Sequence, residues 1–99
     1  MLDLQLSLGI VAWTGWGIAS YPVRDHESLV ATLGPDAVVD LLPRIRQAEE
    51  EFYLSDAQLR APDIQSMGEM AAQDFRRIRP DVSDDAVKAL AWCYTFDYK

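Results

Sequence analysis

Ninety-nine residues with 49% hydrophobic and 25% charged side chains make one globular domain, residues 1–99, and exclude a disordered chain. A formal net charge of −7 opposes nucleic acid, anionic membranes and acidic substrates, so a partner found by charge is a basic one. The single cysteine, Cys93, cannot form an internal disulfide, which excludes a stapled secreted scaffold and points to a reducing, cytoplasmic setting.

No charge falls between Asp3 and Arg24. Twenty helical residues reach about 30 Å, the thickness of a bilayer core, so this stretch is tested first as a spanning or signal segment. Gly9, Gly15, Gly17 and Pro22 interrupt it, and no basic residue precedes it. It reads instead as the most buried part of the domain. Leu2, Leu4, Leu6 and Leu8 alternate at strand period, yet Leu6, Ile10 and Trp13 also share a helical face. A lone strand would have no partner in this chain. The expectation is therefore a helix over residues 2–13, then an irregular stretch to Pro22.

Asp25 is positioned to cap a short helix with Leu29, Val30 and Leu33 on its apolar face, closed by Gly34 and Pro35. Val38, Leu41, Leu42, Ile45, Ala48 and Phe52 then recur at helical spacing. Pro43 predicts a bend there, either as a kink or through a new helix capped by Asp40. Residues 55–61 read as a connection. Pro62 opens a helix over residues 63–79 with Ile64, Met67, Ala71, Phe75 and Ile78 on one face, ended by Pro80. Ser83, Asp84 and Asp85 open the last helix, with Val82 stapled onto Val87. The aromatic tail, residues 94–98, is expected to pack back on the core. The fold class is all-α: four to five helices in one domain, bent near Pro43.

No motif for catalysis, nucleotide binding or metal binding is present. His26 reads as a solvated first-turn residue and Cys93 as a small buried hydrophobe. One His and one Cys cannot complete a four-ligand zinc site without carboxylates. Glu49, Glu50 and Glu51 are adjacent on a helix and point in different directions, so they cannot converge on one ion. Asp81, Ser83 and Asp85 alternate like a calcium loop, but Ala86 stands where glycine is required. Arg76, Arg77 and Arg79 sit where cations offset a helix dipole.

The expectation is thus no enzyme, no cofactor, no metal, no nucleic acid and no membrane. The leading reading is a small acidic protein-binding domain of the inhibitor or immunity type, holding a basic partner. Its contact residues would be Glu49, Glu50, Asp56, Asp84 and Asp85, with Trp13 or Trp16 as an anchor. The second reading is self-association through the uncharged segment as a homodimer, and the third is a small-ligand or enzyme function at Cys93 or His26.

Overall fold

The computed structural model describes residues 1–98. They form α1 (Leu4–Thr14), α2 (His26–Leu33), α3 (Pro35–Phe52), the single turn α4 (Ala57–Arg60), α5 (Ile64–Ile78) and α6 (Asp84–Tyr98). Helices are the only regular elements among the described residues. None of them is long and apolar enough to cross a membrane.

Helix ends follow local chemistry. Asp3 caps α1 through Leu6 N–H, Asp25 caps α2 through Glu27 N–H, and Asp63 caps α5 through Ser66 N–H. Ser83 Oγ accepts from Ala86 N–H at 3.3 Å to open α6. Gly15, left-handed at φ 78°, ends α1 and turns its N–H to the Val11 carbonyl. Pro43 lies inside α3, which bends there and continues unbroken from Pro35 to Phe52. The kink is therefore the form taken, and Asp40 caps nothing. A proline six or more residues into a helix forfeits one backbone bond. The buried stripe of Val38, Leu41, Ile45, Ala48 and Phe52 on both sides of it holds the helix together.

The uncharged N-terminal segment is helix. Leu6, Ile10 and Trp13 enter the core, and Gly9 lets α1 approach α3: a Cβ there would meet Leu41 Cδ2 at 2.8 Å. Ser7 is buried and accepts the Ser83 N–H at 3.0 Å, tying α1 to the start of α6. The expected connection over residues 55–61 contains α4. Ser55 Oγ accepts from Ala57 N–H, Asp56 pairs with Arg60 one turn on, and Ala57 is buried. These local bonds stabilise a turn too short for any periodicity to announce.

Phe52, Phe75 and Tyr94 meet at the centre, with Phe52 5.1 Å from Phe75 and 5.7 Å from Tyr94 between ring centroids. Such pairs add about 0.5–1.5 kcal/mol beyond their buried area. The Tyr94 hydroxyl accepts from Gln58 N–H at 3.1 Å and donates to the Ser55 carbonyl at 2.9 Å, so the core tyrosine also anchors α4. The tail packs down as expected, by continuing α6: Tyr98 lies one turn beyond Tyr94 at 4.8 Å and 6.1 Å from Tyr53.

Candidate functional site

A broad concavity lies between α2 and α3. It is an open groove of about 730 Å³. His26 and Val30 come from α2; Pro35, Val38, Val39, Leu42 and Pro43 make the apolar floor; Arg46, Gln47 and Glu50 close the far end. The sequence builds it simply. The core stripe of α3 occupies one face; Leu42 flanks it, half-buried, while Val39 and Pro43 lie towards the opposite, exposed face, where α2 is too short to cover them. Val39 is 75% exposed. Asp36 and Asp40, one turn apart, flank the outer edge of the same helix, both exposed. Among the described residues, Asp36, Asp40, Glu50 and Arg46 enter no ion pair.

Arg46 and Glu50 also line a second hollow of about 410 Å³, which reaches Trp13, Arg24, Glu49 and Tyr53. The two are continuous along α3. The inner hollow is closed by a charged clasp. Arg24 Nε donates to Glu49 Oε1 at 2.7 Å, and a second Arg24 nitrogen donates to the Tyr53 hydroxyl at 3.1 Å. That hydroxyl donates to Asp97, which Arg24 also approaches at 3.3 Å. Burial opposes the Arg24 charge, but the Glu49 hydrogen bond and charge outweigh it and hold the guanidinium protonated. Burial, then the bond to Asp97, pushes the Tyr53 phenol up. Arg24 sits at φ 48°, a left-handed backbone that non-glycine residues rarely adopt. The clasp compensates it, joining the loop after α1 to the ends of α3 and α6.

The predicted contact residues separate in space. Glu49 is spent on Arg24, Asp56 on Arg60, and Asp84 approaches Arg76 at 3.5 Å. Glu50 lies in the groove and Asp85 stands exposed on α6. Trp13 is 6% exposed and packed in the core, while Trp16 is half-buried against it. The three adjacent glutamates diverge as helix geometry requires, with Glu51 reaching Arg79 at 2.6 Å. Arg79 holds Asp81 as well, and Arg77 approaches Asp74, so the arginine cluster is engaged internally.

Cys93 is buried, and burial pushes its thiol up to about 12. A thiol so protonated is a poor nucleophile. His26 is exposed at the mouth of the groove. No three His, Cys, Asp or Glu residues gather as a metal site among the described residues. Val39 and Arg46 went unremarked in the sequence. The available signal was Val39 itself, an apolar residue beside Val38 that falls outside the α3 stripe. The chain matches no protein-family model, no curated protein and no solved structure.

Proposed function

We propose that this chain is a protein-binding module whose α2–α3 groove receives an amphipathic, basic segment of a protein partner. The observation that carries the reading is the pairing of an exposed apolar floor with unengaged carboxylates along the same helix. Val39, Leu42 and Pro43 offer an apolar strip to the i, i+3, i+4 anchors of an incoming helix. Asp36, Asp40 and Glu50 complement Lys or Arg on its flanks, outnumbering the one local cation, Arg46. The net charge of −7 attracts such a partner at long range and speeds encounter. An open groove favours a segment over a small molecule, which pockets normally enclose. An inhibitor or immunity role is one job such a surface performs.

The test is capture from native lysate on the tagged protein, washed first at low and then at high salt. One stoichiometric basic protein that leaves at high salt supports the reading. Retention of nothing but the chain itself removes it.

A further inference from the structure

α1 is apolar on both sides. Its inner face fills the core, yet Leu4 is 65% and Leu8 57% exposed, and Val11 continues their row at i, i+4, i+7. A helix with no charged residue and an apolar outer stripe is normally covered on both sides. Here only the inner side is covered by the chain. Beside the leucine ridge runs a groove of about 140 Å³, bounded by Leu4, Ser7, Leu8 and Val11 on one wall and by Ser83 and Asp85 on the other. That volume is close to the roughly 150 Å³ of an engineered cavity known to hold benzene, enough for one leucine side chain.

We propose that this face is a homodimer interface, in which the Leu4–Leu8 ridge of each copy seats in the α1–α6 groove of the other. A two-fold contact requires that one patch carry both the knob and its hole, and this patch does. Charge selects a second copy as the occupant. Elsewhere the surface is acidic, and two such copies repel. Across the outer face of α1 there is no charge to repel. Asp85 lines this groove and Lys88 lies nearly one turn on along α6, both exposed and, among the described residues, neither in an ion pair. A two-fold contact presents Asp85 of each copy to Lys88 of the other. α1 is only about 16 Å long, so the interface falls at the small end of stable contacts. The expected dissociation constant is on the order of 10–100 μM, a free energy of about −5.5 to −7 kcal/mol.

The partner groove on α2–α3 is elsewhere on the molecule, and the two proposals respond oppositely to salt. Binding of a basic partner weakens as salt rises. Dimerisation strengthens, because salt screens the repulsion of two copies each at −7. The experiment is sedimentation equilibrium of the full chain from 5 to 300 μM, at 50 and 500 mM salt, with circular dichroism as the folding control. The wild type is expected to dimerise, more tightly at high salt, and Leu8→Glu to raise the dissociation constant at least tenfold with helicity unchanged. Leu59→Glu, on an exposed leucine of α4, is expected to leave it unaltered. A wild type that stays monomeric at 300 μM overturns the proposal. So does a folded Leu8→Glu protein that dimerises as before.

Discussion

Glu49 and Glu50 are neighbours of identical chemistry, and the fold gives them different work. Replacing Glu49 with Gln removes the acceptor charge from Arg24, whose guanidinium stays protonated and half-buried. The Glu49 side chain is 17% and that of Arg24 31% exposed, so solvent screens the pair only in part. A hydrogen bond to a charged group contributes about 1.5–3 kcal/mol. Asp97 and Tyr53 remain as partners for Arg24, which favours the lower half of that range. For a domain near 100 residues each kcal/mol moves Tm by about 4–8 °C, so Glu49→Gln is expected to lower Tm by roughly 6–18 °C. Glu50→Gln touches no ion pair and is expected to stay within about 0.5 kcal/mol of wild type. Urea and thermal unfolding followed by circular dichroism separate the two. Equal stabilities would refute the assignment of Glu49 to the clasp and Glu50 to the groove.

Tyr94→Phe strands the Gln58 N–H and the Ser55 carbonyl, and is expected to cost about 1–3 kcal/mol in urea unfolding; a neutral substitution would show that Tyr94 does not hold α4. The Cys93 thiol ordinarily ionises near 9.0 and is raised to about 12 in the fold. Its folded pKa is the higher one, so its contribution is intact below pH 9 and falls by about 1.4 kcal/mol per pH unit above it, up to about 12. Urea midpoints at pH 8.5 and 9.5 should show this loss in the wild type and lack it in Cys93→Ala; identical slopes would contradict the burial of that thiol.

Most of the fold is legible in the sequence because helix periodicity and end chemistry agree with each other. Asp25, Gly34, Ser83 and the stripe from Val38 to Phe52 each signal one boundary or face, and the structure uses each as such, whereas the helix expected to open at Pro62 is capped by Asp63 and begins at Ile64. α4 is not legible, because a single turn shows no periodicity and its local bonds are completed by Tyr94 and Asp74 from distant parts of the chain. The site is legible only as surface character. Spacing shows that Glu49, Glu50 and Glu51 diverge, but not that Arg24 and Arg79 claim two of them. Likewise the uncharged segment announces burial, and its two tryptophans suggest an anchor. Tertiary packing turns Trp13 inward and leaves Leu4 and Leu8 outside, a choice fixed by which face of α1 meets α3 and α6.

The central claim is that the α2–α3 groove receives a basic partner, and Val39 gives the most direct access to it. Val39→Lys places a cation on an exposed part of the floor and leaves the core stripe untouched. Captures from native lysate on wild-type and Val39→Lys protein, run side by side at low salt, should differ by one basic protein, held at stoichiometry by the wild type and lost from the variant. The same basic protein held equally by both would place its binding surface away from the groove.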